Sequence, residues 1–209
     1  MKKLVAILLA ALMVMGLMPM MASAEGKVLK FGTDAEPIGF DPHTISAVAS
    51  LRVISQLYNT LVDVDENLNI VPELAESWEQ PDDMTYIFHL REDVKFHNGR
   101  GMTAEDVKYS FERILDPDLG ALGNSASYAG DIETVEVIDD YTVQIKLAKV
   151  NAPFLSNLSS NYCSIVCKEV VEESGDLLRA DGGTGAYTLG EWVPDNMVSV
   201  NKFDEYFVE

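Results

Sequence analysis

Cysteine, histidine and positive charge are all scarce in this 209-residue chain. It holds two cysteines and three histidines, and 15 Lys and Arg stand against 34 Asp and Glu, a formal charge of −19. So acidic a chain, without a Lys/Arg run, is repelled by phosphate backbones, which argues against nucleic acid as a partner. Two cysteines are too few for a disulfide scaffold. Cys163 and Cys167 lie four apart in Tyr162-Cys163-Ser164-Ile165-Val166-Cys167. On a strand their Cα atoms would be about 13 Å apart, beyond the roughly 7 Å a disulfide tolerates. No His stands near them, so no zinc site is expected and both read as small buried residues.

Signatures of catalysis are missing too. The chain has no His-Glu-x-x-His, no Gly-x-Ser-x-Gly and no Gly-x-x-x-x-Gly-Lys-Ser/Thr. Its nearest approach to a phosphate loop is Gly182-Gly183-Thr184-Gly185, but Thr188 stands where dinucleotide spacing needs a third Gly. His43, His89 and His97 are scattered and read as structural. Asp34 and Glu36 could form an acid/base pair, but among so many acids such pairs arise by chance. A binding protein is therefore expected before an enzyme, with no metal and no cofactor.

What is present is enough apolar residue, 47% of the chain, to build a core. The first 24 residues stand apart. Lys2 and Lys3 precede an apolar stretch, Leu4 to Met18, then Pro19 and the small residues Ala22-Ser23-Ala24. This is the pattern of a cleavable secretory signal peptide. No Cys follows it for lipid attachment, so an extracytoplasmic or periplasmic location is expected.

Val28 to Thr33 reads as a first strand, and Asp34 to Pro42 as an ordered loop rich in Pro and Gly. Between Ser46 and Leu61 apolar residues recur at three- and four-residue steps, the helical period. Thr85 to Leu90 and Val94 to Phe96 read as strands, closed by a turn at His97-Asn98-Gly99. Thr103-Ala104-Glu105-Asp106 is a capping box that opens a helix, and Asp116-Pro117 stops it. Two hairpins are predicted, Ile132 to Val137 with Tyr141 to Leu147, and Tyr187 to Val193 with Met197 to Asn201. The fold class is α/β.

One stretch is more particular. It runs Pro72-Glu73-Leu74-Ala75-Glu76-Ser77-Trp78-Glu79, then Met84 to Arg91, Val94-Lys95-Phe96-His97-Asn98-Gly99, and Met102 to Phe111. It closely resembles the signature of the oligopeptide/dipeptide (peptide/nickel) family of extracytoplasmic solute-binding proteins of ABC importers. Phe40-Asp41-Pro42 is similar to that family's Leu-Asp-Pro turn. Gly183-Thr184-Gly185-Ala186-Tyr187 is similar to its Gly-Thr-Gly-Pro-Tyr, with Ala186 in place of Pro. Trp78, Tyr86, Phe88, Leu90, Phe96, Tyr109 and Phe111 would then be scaffold.

The resemblance implies a type II clamshell with an extra inserted domain: residues 25–63 and 161–209 in the first lobe, residues 64–160 as a small inserted α/β domain. The second lobe is expected beyond this chain, which reads as the N-terminal portion of a longer protein or the product of a truncated gene. The implied function is capture of a peptide or small-molecule ligand and delivery to the membrane permease, by a monomer. Ligand contacts are expected at Asp34, Ala35, Glu36 and Pro37, at Tyr128 and at Gly185. Nickel or an oligosaccharide is the alternative ligand in the same family. A secreted hydrolase and a cell-envelope interaction protein are alternatives of other classes.

Overall fold

A computed structural model describes residues 27–119 and 124–208. The leader Met1 to Ala24 lies outside the described residues. Residues 27–32 fall in a unit separate from the one that begins at Thr33. The expected first strand is absent there, with Val28, Leu29 and Phe31 each more than 70% exposed. Among the described residues no strand pairs with this segment, and without a ladder an apolar-rich sequence is not a strand.

From residue 33 onward the elements are α1 (Val48–Leu57), β1 (Val62–Val64), β2 (Ile70–Pro72), β3 (Ala75–Asp82), β4 (Thr85–Leu90), α2 (Ala104–Leu115), α3 (Asn124–Ala129), β5 (Ile132–Asp139), β6 (Thr142–Leu147), α4 (Phe154–Leu158), α5 (Lys168–Ser174), β7 (Tyr187–Val193) and β8 (Met197–Lys202). The strands form three antiparallel sheets. β1 pairs with β2, β7 pairs with β8, and a four-stranded sheet runs β3-β4-β6-β5.

In that larger sheet the period of two is plain. Tyr86, Phe88 and Leu90 on β4 and Val143, Ile145 and Leu147 on β6 are buried, and the residues between them face outward. Helix α2 covers the buried face with Val107, Phe111 and Ile114. Its predicted capping box forms, with the Asp106 carboxylate accepting from the Thr103 amide at 3.0 Å. Asp116 ends the helix in extended backbone, as the following Pro requires. Five fully buried Phe side chains, at 40, 88, 96, 111 and 154, anchor the interior. Each is worth roughly 1.5–3 kcal/mol against exposure.

The hydrophobic interior falls into two clusters. One is built on residues 61–167, around the four-stranded sheet and α2. The other gathers Phe40, Ile45, Ile54, Leu57 and Tyr58 from the N-terminal side with Val166, Val171 and Leu177 from the C-terminal side. The β7–β8 hairpin packs on this second cluster through Leu189, Trp192, Val198 and Val200.

Several expectations are corrected. Helix α1 stops at Leu57 although apolar spacing continues to Leu61. The Leu57 carbonyl, which a longer helix would use, instead accepts from the Gly185 amide at 2.8 Å. Val94 to Phe96 forms only a bridge, Lys95 to Gly101, around a tight turn with Gly99 at φ 88°. The Tyr162–Cys167 run is not a strand. It opens with a 3-10 turn, Asn161–Cys163. Its later amides then bind three separate partners: Ile165 to the Asn59 carbonyl, Val166 to the Ser110 hydroxyl, Cys167 to the Gly182 carbonyl. Both cysteines are nonetheless buried and free, as expected. Strands β1, β2 and β3 carry no pattern that alternation alone reveals. The β1–β2 turn is set by Asp65, whose carboxylate accepts from the amides of Asn67 and Asn69.

Candidate functional site

The loop Asp34–Pro37 lies on the surface and leads into a buried anchor at Gly39 and Phe40. Asp34, Ala35 and Glu36 are exposed and Pro37 is half-buried, whereas Gly39 and Phe40 are buried. Just past the loop, the Ile38 amide donates to the Ser50 hydroxyl on α1 at 3.0 Å, and the Phe40 amide to the Leu178 carbonyl at 3.1 Å. Side chains fix the loop as well. Arg52 of α1 donates to Asp34 at 3.3 Å. Glu36 Oε1 accepts from the Trp192 indole and from the Asp195 amide, each at 3.1 Å. Asp34 and Glu36 thus turn to different partners and do not form an acid/base pair.

Tyr128 is half-buried on α3, its ring 5.7 Å from that of Tyr162. The same helix is tied to the chain beyond the loop, because the buried Ser125 hydroxyl donates to the His43 carbonyl at 2.7 Å. The sequence between 120 and 123 lies outside the described residues.

Gly185 is buried, and both its backbone groups bind within the fold: its amide to Leu57 and its carbonyl to His97 Nε2 at 2.9 Å. A Cβ here would stand 2.3 Å from the Gln56 carbonyl oxygen, and one on Gly183 only 1.8 Å from that of Leu57. The glycines are required by this close approach of two backbones. None of the loop residues, Tyr128 or Gly185 lines the polar recess around Glu73.

That recess, of about 200 Å³, lies among Ser55, Tyr58, Asn59, Thr60, Asp63, Glu73, Ser159 and Asn161. Glu73 is held there by the Asn59 amide at 2.6 Å and by the Thr60 amide and hydroxyl, both at 2.8 Å. Burial nevertheless pushes its carboxyl above the usual range, against the pull of those donors. Sequence reasoning missed this recess. Glu73 lies in the motif at 72–79, but nothing in the spacing announces that Asn59 and Asn161 meet it.

The three histidines have structural partners. His89 pairs with Glu79 on the outer face of the sheet at 3.3 Å, while His43 and His97 are buried in hydrogen-bonded networks. Among the described residues no three metal-ligating side chains come together and no helix is long and apolar enough to cross a membrane.

Comparison with known proteins agrees with this architecture. Residues 69–209 match the model of the bacterial extracellular solute-binding proteins, family 5, middle region. The dipeptide-binding protein of Escherichia coli K12 is 32% identical over 214 residues, which is 91% of this chain and 40% of that protein. In structure the chain is similar to the periplasmic binding protein DppA of Helicobacter pylori in complex with the peptide STSA, with a TM-score of 0.74 and 29% identity over 84% of this chain and 39% of that one. It is also similar to NikZ of Campylobacter jejuni in complex with Ni(L-His), with a TM-score of 0.72 and 27% identity over 84% and 35% of the two chains. The chain spans about two fifths of the length of the relatives it matches.

Proposed function

Because the chain belongs to the family 5 bacterial extracellular solute-binding proteins, we propose that it carries part of the ligand-capture surface of an ABC importer's binding subunit, with a short peptide as its ligand. The observation that carries this reading is the Asp34–Pro37 loop, an exposed segment held by side-chain contacts to Arg52 and Trp192 and by the backbone bonds of Ile38 and Phe40 just after it. Such a segment can offer its backbone to an extended peptide as an added strand, which binds without reading side chains. Tyr128 on α3 supplies an aromatic face, and Gly185 forms a floor by letting the chain press against the end of α1. Relatives that carry the names dipeptide-binding and oligopeptide-binding protein favour the peptide class.

The second hydrophobic cluster supports the division into a first lobe of residues 25–63 and 161–209 and an inserted domain of residues 64–160. The second cluster draws on both chain segments of that lobe, and the four-stranded sheet lies wholly within the inserted range. Work outside the cytoplasmic membrane, export by the leader and hand-over to a permease belong to the same reading. Its role is binding without catalysis. A metal complex is the second reading, favoured by the likeness to the nickel-binding structure.

The test is nuclear magnetic resonance titration of the chain with di- to pentapeptides, with Ni(II)-histidine as a separate arm. Peptides are expected to shift the amides of 34–36 and the ring of Tyr128, weakly, since a second lobe would supply much of the burial. Shifts from the nickel complex alone would move the ligand class. Peptide shifts elsewhere that survive Glu36→Ala would refute this site.

A further inference from the structure

Four residues after the candidate loop the chain enters a buried polar cluster that the peptide reading does not use. Arg113 of α2 grips Asp41 with both arms of its fork, Nη1 to Oδ1 at 3.1 Å and Nη2 to Oδ2 at 2.6 Å. The two side chains are 7% and 2% exposed. Asp41 Oδ1 also accepts from the His43 amide at 3.0 Å. Arg113 Nη1 reaches His43 Nδ1 at 2.7 Å, and His43 Nε2 lies 2.9 Å from the Ser164 carbonyl.

These partners choose the state of the ring. A guanidinium only donates and a carbonyl only accepts, so His43 must be neutral, with its proton on Nε2 and its Nδ1 lone pair toward Arg113. A second proton would sit between the ring and a guanidinium. Asp41 and Arg113 cancel, so that proton would leave a net positive charge buried. Other groups face the cluster from the surrounding elements: Tyr109 on α2, Tyr58 at the end of α1, the Ser125 hydroxyl on α3 and, farther off, Asp181. Burial first, and then the charge of Arg113, holds His43 down to about 4.

A continuous line of contacts joins this cluster to the loop. Phe40, next to Asp41, meets Trp192 edge to face with ring centroids 5.0 Å apart. The Trp192 indole donates to Glu36 within the loop, and Gly39 presses against Leu178 between them. We propose that Arg113, acting through Asp41 and the Phe40–Trp192 contact, is a positioning residue for the Asp34–Pro37 loop, and that the loop keeps its seat only while His43 is unprotonated. The purpose of the loop rests on the peptide reading, but its seat can be read without any ligand.

Trp192 reports on that seat. In a Trp78→Phe background it is the only tryptophan. Its emission and the hydrogen-exchange protection of the Ile38 and Phe40 amides, which bond Ser50 and Leu178, are followed from pH 8 to pH 4.5, with far-ultraviolet circular dichroism monitoring the fold. A His that titrates at 6.5 when released and at about 4 when seated allows loop opening to rise up to about thirtyfold at pH 5. His43→Gln keeps a donor toward Ser164 and cannot take a proton, so its loop should hold. The same transition in His43→Gln would assign the effect to Glu36 or Asp34 and overturn the proposal. So would a wild-type loop that stays protected to pH 4.5.

Asp41→Asn tests positioning at neutral pH, where protection of the Ile38 and Phe40 amides should fall at least fivefold while amides of the four-stranded sheet hold. Equal loss in loop and sheet would show a merely structural role. Trialanine, added last, separates the two readings. If it fails to bind while the seat still depends on His43, the positioning role stands and the peptide class falls.

Discussion

His97 lies between Asp181 and Gly185, with Nδ1 2.6 Å from the Asp181 carboxylate and Nε2 2.9 Å from the Gly185 carbonyl. It thereby joins the turn after β4 to a loop 84 residues later. The Asp181 carboxylate also accepts from the Leu189 amide at 2.6 Å, which sets the base of the β7–β8 hairpin. One imidazole therefore holds the turn after β4, the glycine loop and the last hairpin in a single arrangement. His97→Ala would leave a carbonyl and a carboxylate short of donors at a side chain only 3% exposed. A loss of about 2–4 kcal/mol is expected, seen in urea as a lower midpoint at unchanged slope. A change under about 0.5 kcal/mol would show that the link carries no stability.

The glycines divide into two kinds, and substitution separates them. Gly183→Ala puts a Cβ 1.8 Å from the Leu57 carbonyl oxygen, backbone that cannot step aside. Loss of soluble folded protein, or more than about 4 kcal/mol, is expected. Gly99→Ala meets nothing within 4 Å and is strained only by its φ of 88°. Its expected cost is about 1 kcal/mol, and thermal melts of the two variants side by side check both.

Acid should weaken the protein through His43 in particular. Its folded value lies at about 4, below the ordinary 6.5, so the unfolded chain takes up the proton first. Stability is thus full above pH 6.5 and falls as pH drops toward 4, by on the order of 3 kcal/mol. Asp41 adds to the fall at lower pH. Burial alone would raise its carboxyl, but the hydrogen bonds and charge of Arg113 outweigh that and hold it below the usual range. Urea unfolding of wild type and His43→Gln at pH 7, 6, 5 and 4.5 measures the difference. Parallel curves would refute it.

The two cysteines should resist alkylation until the fold opens. Cys163 is fully buried and burial pushes its thiol up to about 12, so almost none is thiolate at pH 8. For Cys167 burial likewise outweighs the donors from Arg100 and the Val170 amide. Iodoacetamide at pH 8 should label neither thiol in native protein and both in 6 M urea. Rapid native labelling of Cys163 would contradict its burial.

Local chemistry was readable wherever the deciding partners lie close in sequence. The capping box at Thr103–Asp106, the stop at Asp116-Pro117 and the two hairpins around Asp139-Asp140 and Pro194-Asp195-Asn196 all depend on neighbours within a few residues. The motif at 72–111 carried the family. Failures share one cause. Val28 to Thr33 reads as a strand, but a strand exists only with a partner. Tyr162 to Cys167 is apolar enough for a strand, yet its amides go to Asn59, Ser110 and Gly182, all distant along the chain.

The candidate site shows the same division. Its loop was legible as Pro- and Gly-bearing chain between a presumed strand and a helix. That Glu36 would be held by Trp192, 156 residues away, was not. Composition and pattern by themselves determined an acidic α/β chain with an apolar core and its family, because burial periodicity and turn residues act over short spans. Only the tertiary structure decided that α1 ends at Leu57, that Gly183 and Gly185 admit no side chain, and that Asp41, His43 and Arg113 close on one another. Each of those depends on backbones and charges brought together across many residues, where sterics and desolvation rather than local preference set the outcome.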